Sequence, residues 1–315
     1  MSKQMGKLPD VFFQRLEQQF GRSATDRICA AFESSRFPTL RTNTIKTTDA
    51  AIMETFRTDR IAFERIRDIS HAFRIKNRTD AEILTHPLCT NGHIYLQGIA
   101  SMLPPIILDP QPGETILDLC AAPGSKTTQL AALMKNQGHI IACENDEVRF
   151  QKLLHTLRLQ SATIVEPKCM DAALLRHEAQ EKFDRILADV PCSAEGRIRL
   201  DEPRTYRFWS PNNASTCAKI QRRLLRAAAE CLKPSGTLVY STCTLAPEED
   251  ENMISWFLET FPNFKSIPFD LPLSEIRKTS TGGTYVFPSR EHEGFFLAKM
   301  QKMFISPVPQ TLAVK

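Results

Sequence analysis

Thr115-Ile-Leu-Asp-Leu-Cys120-Ala-Ala-Pro-Gly-Ser125-Lys-Thr-Thr128 is the stretch that decides the fold. Residues 115–119 form a short apolar run of strand length. Small residues follow, and over 125–135 the pattern turns helical. A strand that passes through a small-residue loop into a helix lets a ligand approach backbone amides closely. Two nucleotide-loop patterns fail here. A Gly-x-x-x-x-Gly-Lys-Ser/Thr loop needs glycines that this stretch lacks, because Lys126 follows Ser125 and Cys120 stands five before it. A Gly-x-Gly-x-x-Gly turn is missing as well.

The same rhythm repeats downstream. Strands are expected over 140–143, 163–166, 185–189, 237–241, 284–287 and 294–299, with helices over 147–159, 213–232 and 247–258. Lys233-Pro-Ser-Gly236 reads as a turn. Glu248, Glu249, Asp250 and Glu251 read as the acidic opening of the last helix, where carboxylates suit the positive end of the macrodipole. A helix over 97–103 is expected to stop at Pro104-Pro105. Strand–helix alternation predicts a mostly parallel, Rossmann-like α/β sheet over residues 96–303. Upstream, helical spacing over 9–31, strand-like alternation over 36–46 and a helix start at Thr48-Asp49 predict a small α+β domain over 1–95. Residues 304–315 read as a tail.

Composition sets outer limits. The 315 residues are 42% hydrophobic and 24% charged with a net charge of +4, which suits one sizeable core plus a smaller domain. The mild positive balance is compatible with a polyanion partner. The nine cysteines include no Cys-x-x-Cys pair, and the seven histidines do not cluster with them. No metal and no disulfide framework are therefore expected. No segment reaches the ~20 apolar residues of a membrane span, and the N-terminus has no apolar signal core. A reducing, cytoplasmic setting away from membranes is expected.

Two cysteines lie just beyond strands expected to be buried. They are Cys192 in Arg185-Ile-Leu-Ala-Asp-Val-Pro-Cys192-Ser and Cys243 in Thr237-Leu-Val-Tyr-Ser-Thr-Cys243-Thr. Open α/β sheets bind ligands at the carboxyl ends of their strands. The 118–128 loop fits the first loop of an S-adenosylmethionine-dependent methyltransferase. Glu144, ending the second strand, suits a ribose diol, and Asp171 suits an adenine amino group. Cytosine C5 is a poor nucleophile, but a thiolate added at C6 turns the ring into an enamine that takes a methyl cation. Cys243 or Cys192 can supply that thiolate. Asp189 can partner ring N3, in a neutral form that burial favours. Lys126 can supply a positive field for the thiolate. Arg197, Arg199, Arg204 and Arg207, interleaved with Tyr206, Phe208 and Trp209, suit phosphate contacts and base stacking. Arg41 and Lys46 are expected to add to the grip on RNA, while Arg222 and Arg226 read as a solvated helix face.

With these pieces in place the chain resembles the Sun-type RNA 5-methylcytosine methyltransferases, closest to the bacterial branch acting on small-subunit ribosomal RNA. The resemblance rests on Arg41-Thr-Asn-Thr-Ile-Lys46, Gln97-Gly-Ile-Ala-Ser-Met-Leu-Pro104, the 118–128 loop, Asp189-Val-Pro-Cys-Ser193, Leu238-Val-Tyr-Ser-Thr-Cys-Thr-Leu245, Glu248-Glu-Asp-Glu251 and Gly294-Phe-Phe-Leu-Ala-Lys299. It implies a class I methyltransferase fold with a seven-stranded sheet, S-adenosylmethionine as cofactor and structured RNA as partner of a monomer. It implies Cys243 as nucleophile and Cys192 as the thiol that aids proton removal and product release. It also implies cofactor contacts from Cys120, Ala121, Ala122, Pro123, Gly124, Ser125, Lys126, Glu144, Arg149, Asp171 and Asp189. Two positions depart from the family pattern. Ser125 replaces a glycine, and Ala194 follows Ser193 where glycine is common, so a positive φ there would strain alanine. Three alternatives stand beside this reading. Transfer RNA is one substrate alternative. A DNA cytosine methyltransferase would use Cys192 as nucleophile, but no target-recognition insert fits between Cys243 and Thr284. A non-catalytic RNA-binding protein would have no need of the thiol pair.

Overall fold

The computed structural model describes residues 8–304, so nearly all of the expected tail lies outside the described residues. Two helices lead, α1 (Asp10–Phe20) and α2 (Arg22–Phe32). The single helical stretch expected over 9–31 breaks at Gly21, whose φ of 80° an L side chain rarely adopts. Four strands follow, β1 (Thr39–Thr42), β2 (Phe63–Arg65), β3 (Ala72–Ile75) and β4 (Ile94–Leu96), with helices α3 (Asp49–Thr58), α4 (Asp80–Thr85) and α5 (Pro87–Thr90). The strands pair antiparallel in the order β2-β3-β1-β4, over a core of Leu40, Ile52, Phe56, Phe73 and Ile83. Thr48 caps α3 through the Ala51 N–H, as its sequence position predicts. The strand expected over 36–46 shrinks to β1 because Asn43 turns the chain. Its carbonyl accepts from the Lys46 and Thr47 amides, and its side-chain oxygen from Ile45.

Helix α6 (Ile99–Leu108) runs through Pro104-Pro105 instead of stopping there. Pro105 has no N–H for the Ser101 carbonyl. The Gln97 side-chain amide donates to that carbonyl instead, at 3.0 Å.

The large sheet has a parallel centre. It comprises β5 (Thr115–Asp118), β6 (His139–Glu144), β7 (Val165–Cys169), β8 (Phe183–Asp189) and β9 (Leu232–Thr242), in the order β7-β6-β5-β8-β9. Three-residue strands β10 (Phe264–Ser266) and β11 (Ile276–Lys278) are additions that the sequence pattern did not predict. Strands β12 (Thr284–Val286) and β13 (Phe295–Lys302) complete the set, with β13 antiparallel to β9 and β12 antiparallel to β13. The seven expected strands are thus present in a nine-stranded sheet. The expected 233–236 turn is a bulge inside β9, where Ser235 has φ 65° and the register with β8 shifts. Helices α7 (Ser125–Leu133), α8 (Glu147–Gln160), α9 (Pro211–Cys231) and α10 (Glu251–Thr260) complete the covering layers. Chain order reverses at β5, which lies between β6 and β8, and the carboxyl ends of β5 and β8 therefore open a crevice.

The leading helices pack on this large unit. Phe12, Leu16, Ile28 and Phe32 join one core with Leu225 of α9 and Phe257 of α10. Phe12 meets Trp209 edge-on at 5.1 Å, Phe20 meets Tyr285 at 5.0 Å, and Arg15 pairs with Glu248 at 2.8 Å. The β1–β4 unit also packs closely on the large one. Gly92, with φ 70°, approaches the end of α8 so closely that a Cβ would lie 2.1 Å from the Leu159 carbonyl oxygen. Gly92→Ala is expected to cost roughly 3 kcal/mol of stability. Urea unfolding should show it as a lower midpoint at an unchanged slope. Among the described residues no helix is long and apolar enough to cross a membrane.

Candidate active site

Parallel pairing sets Asp189, the last residue of β8, beside Ser241 near the end of β9. The chain leaves both strands at the same end of the sheet, which brings Cys192 and Cys243 together. Their sulfurs lie 3.3 Å apart, and the Cys243 amide donates to the Cys192 sulfur at 3.3 Å. The pairing splits their acidities. The hydrogen bond from Cys192 lowers the pKa of Cys243, and the charges of Arg197 and Lys126 lower it further. Cys192, as donor in that bond and shielded from bulk water, is pushed well above the ordinary thiol value.

Lys126 stands across the crevice. Its Nζ lies 2.7 Å from Asp189 Oδ2 and donates to Ser101 Oγ at 3.0 Å. The Ser241 hydroxyl donates to Asp189 Oδ1 at 2.7 Å. Asp189 is therefore an ion-paired carboxylate with a quarter of its side chain exposed, not the desolvated group expected at a buried strand end. Asp118, at the end of β5, is the buried one. Its Oδ2 accepts from Thr127 Oγ1 at 2.7 Å, and burial pushes its pKa up to about 7. A cavity of about 430 Å³ joins Asp118, Lys126, Asp189, Cys192, Arg197 and Cys243.

The acidic run after Cys243 corrects an expectation. Helix α10 begins only at Glu251, residues 247–250 form a turn, and Glu249 and Asp250 are completely buried. Glu249 accepts from the Ser193 amide at 3.1 Å, from the Ser193 hydroxyl, and from Gln221 Nε2 at 2.7 Å. Gln221 also donates to the Pro191 carbonyl at 2.9 Å. The residues on both sides of Cys192 are thereby held from one buried carboxyl, whose pKa burial pushes up to about 7. Asp250 accepts from Thr242 Oγ1, beside Cys243, at 2.6 Å. Neither role was read from the sequence, although the Glu248–Glu251 run was visible, because acidic helix starts and buried acidic clamps look alike in one dimension.

Ala194 does adopt the positive φ, 60°, that its side chain disfavours. The residues after it hold it there. Glu195 is buried and accepts from Trp209 Nε1 at 2.8 Å, and the Gly196 amide donates to the Cys243 carbonyl at 3.0 Å.

The expected cofactor residues trace one path. Gly124, with φ 106°, leads residues 120–123 into α7, and a Cβ there would meet Thr156 of α8 at 2.9 Å. Ser125 is the first residue of α7, and its carbonyl accepts from Arg41 at 3.1 Å. Glu144 is buried. Its Oε1 accepts from the Asn145 and Asp146 amides at 2.9 and 3.0 Å, and its Oε2 lies 3.0 Å from Arg149 Nη1. Arg149 also donates to the Ala122 carbonyl at 2.8 Å. Asp171 lies 2.6 Å from Arg223. A small second cavity runs along Glu144 and Asp171, and Cys120, Arg149 and Pro191 border both cavities. This donor set suits S-adenosylmethionine, with a carboxylate for a diol, a second for an amine, and Lys126 with loop amides for a carboxylate.

The arginines divide. Arg197 lines the cavity beside Cys243, whose charge raises the guanidinium pKa. Arg199 pairs with Asp201 and Glu202, and Arg204 with Glu202. Arg207 lies over the exposed ring of Phe208 at 4.5 Å. Arg41 is not free to grip RNA. It is buried, and it donates to Gln97, Ser125 and Thr128. Lys46, by contrast, is exposed, and it donates to the carbonyls of Asn91 and Leu159. Arg222 and Arg226 both lie over the Trp256 ring.

The strand order and the position of the crevice define a class I methyltransferase architecture. The pattern describing the 16S rRNA methyltransferase RsmB/F family matches residues 105–301, and that of the RsmF/B-like ferredoxin-like domain matches residues 8–82. The chain belongs to the 16S rRNA methyltransferase RsmB/F family. It is 33% identical over 300 residues to a probable ribosomal RNA small subunit methyltransferase B from Synechocystis sp., covering 93% of this chain and 66% of that protein. It is 35% identical over 279 residues to ribosomal RNA small subunit methyltransferase F from Shewanella loihica, covering 86% of this chain and 57% of that protein. The crystal structure of a methyltransferase homologue from Pyrococcus horikoshii superposes with a TM-score of 0.82 at 31% identity, covering 96% of this chain and 100% of that one. The chain thus spans 57% to 66% of the length of these two curated relatives.

Proposed function

We propose that the chain transfers a methyl group from S-adenosylmethionine to C5 of a cytidine in structured RNA, namely 16S ribosomal RNA, as a cytoplasmic monomer. The observation that carries this reading is the pair of sulfurs 3.3 Å apart beside the Lys126–Asp189 ion pair. A binding module has no use for that arrangement. In this reading residues 96–303 form the transfer unit and residues 1–95 help to present the RNA. Glu144, Asp171, Arg149, Lys126, Asp189 and the 120–125 loop hold the cofactor, which supplies a methyl cation. Arg199, Arg204 and Arg207 meet phosphate, with exposed Phe208 as a stacking surface.

The chemistry follows from where each group stands. The target base leaves its stack to reach the cavity, at a cost of a few kcal/mol. The Cys243 sulfur bonds to C6, and the C5=C6 electron pair moves between C4 and C5 as N3 takes a proton through Asp189. Lys126, 2.7 Å away, is the neighbouring ammonium that keeps that carboxylate supplied. C5 is now an enamine carbon and accepts the methyl group. Cys192, once deprotonated, takes the C5 proton; the C–H electron pair forms C5=C6 and expels Cys243 as a thiolate, and the proton on N3 returns through Asp189.

Incubation with methyl-labelled S-adenosylmethionine tests the reading against 16S ribosomal RNA, transfer RNA and duplex DNA in parallel. Label is expected in 5-methylcytidine from the ribosomal RNA. Label in transfer RNA alone would replace the substrate, and label in DNA alone would replace the class of enzyme.

A further inference from the structure

We propose that Arg197 is a catalytic residue that holds the negative charge of the Cys243 sulfur until it bonds to the base. The proposal rests on Cys243 being the nucleophile. Sequence position alone places Arg197 with its neighbours as a phosphate contact. The structure separates it from them. Arg199 and Arg204 are paired with carboxylates, whereas Arg197 forms no ion pair among the described residues. It instead lines the same cavity as Cys243, close enough that the charge of that sulfur is the main cause holding the guanidinium pKa up.

The backbone delivers it there. The short turn Glu195–Arg197 follows Ala194 directly, and the Arg197 amide donates to the Ala194 carbonyl at 3.0 Å. The Gly196 amide donates to the carbonyl of Cys243 itself at 3.0 Å, and the Gly196 carbonyl accepts from the Gly294 amide at 2.8 Å. Gly196 has no room for a side chain, since a Cβ would lie 2.3 Å from the Gly294 carbonyl oxygen. The residue before Arg197 is thus tied to the nucleophile on one side and to β13 on the other. Lys126, the other cation near the sulfur, already has Asp189 at 2.7 Å. A guanidinium cannot lose its proton in this pH range, so its field on the sulfur is constant. A thiolate held in this way is the reactive species, and its charge is discharged when the S–C6 bond forms and N3 takes its proton.

The charged and titratable groups facing Cys243 are Cys192 and Arg197 from the loop after β8, Asp189 at the end of β8, Lys126 of α7 and Cys217 of α9. Glu293, beside β13, acts on Arg197. The test is the pH dependence of iodoacetamide alkylation at Cys243, read by peptide mass in the full chain. It is compared with single-turnover methyl transfer and with RNA affinity by gel shift. Arg197→Gln is expected to raise the alkylation midpoint by about 1 pH unit and to slow transfer about tenfold, with RNA affinity unchanged. Arg197→Lys should restore part of both, and Arg199→Gln should leave the midpoint in place. An unmoved midpoint in Arg197→Gln overturns the proposal. A raised midpoint with full transfer rate overturns the assignment of Cys243 as nucleophile.

Discussion

Cys192→Ala is expected to accumulate a protein–RNA adduct that survives a denaturing gel, whereas Cys243→Ala forms none and loses methyl transfer by about 10³-fold or more. The asymmetry comes from the acidities of the pair. In the proposed mechanism Cys243 attacks, and the Cys192 hydrogen bond and the charge of Arg197 lower its pKa, which favours that assignment. Cys192 is raised, so it does not compete for the attack, and its thiolate, once formed, is the stronger base for the proposed release step. Without Cys192 the bond to C6 still forms but is resolved slowly. An adduct formed by Cys243→Ala instead would move the nucleophile to Cys192.

The second large effect is expected at Glu249, which lies outside the cavity. Glu249→Ala strips partners from the Ser193 amide, the Ser193 hydroxyl and the Gln221 amide in a fully buried place. The expected cost is roughly 2–4 kcal/mol of stability. Methyl transfer should slow about 100-fold as Cys192 drifts from its partner. Protonation gives the effect a direction. Burial raises this carboxyl from 4.5 to about 7. The unfolded chain therefore releases the proton near 4.5 and the folded chain near 7. The group's stabilising contribution is full below 4.5 and is lost as pH rises to 7, a swing of about 3 kcal/mol. Asp118, raised to about 7 in the same way, adds to the slope. Urea midpoints measured across that window should fall for the native chain and fall less for Glu249→Gln. Parallel profiles for the two proteins would sink the argument.

The parts of this molecule that were legible in the sequence are the parts that physics writes locally. Each of the seven expected strands is an apolar run closed by small or polar residues. Cys192, Cys243 and Asp189 could be placed because they sit within a few positions of strand ends. What stayed hidden depends on a partner far along the chain. Pro104 and Pro105 sit inside a helix because the Gln97 amide takes over an orphaned carbonyl. Arg41 looks like a surface cation until Ser125 and Thr128 are seen to claim it. Glu249 looks like a helix opener until the loop after β8 folds back on it. Asp189 was expected to be desolvated, and only the arrival of Lys126 from α7 shows it as half of an ion pair.

The leading helices carry a consequence for how the protein is made. Arg15 waits for Glu248, and Phe20 for Tyr285 and Phe287. At ribosomal speeds those partners emerge roughly 10–50 s after α2. Until then the apolar faces built on Phe12, Leu16 and Phe32 meet only part of their core, such as Trp209 and Leu225. The two helices are thus an incompletely covered apolar surface on the growing chain, and the last strands complete its cover.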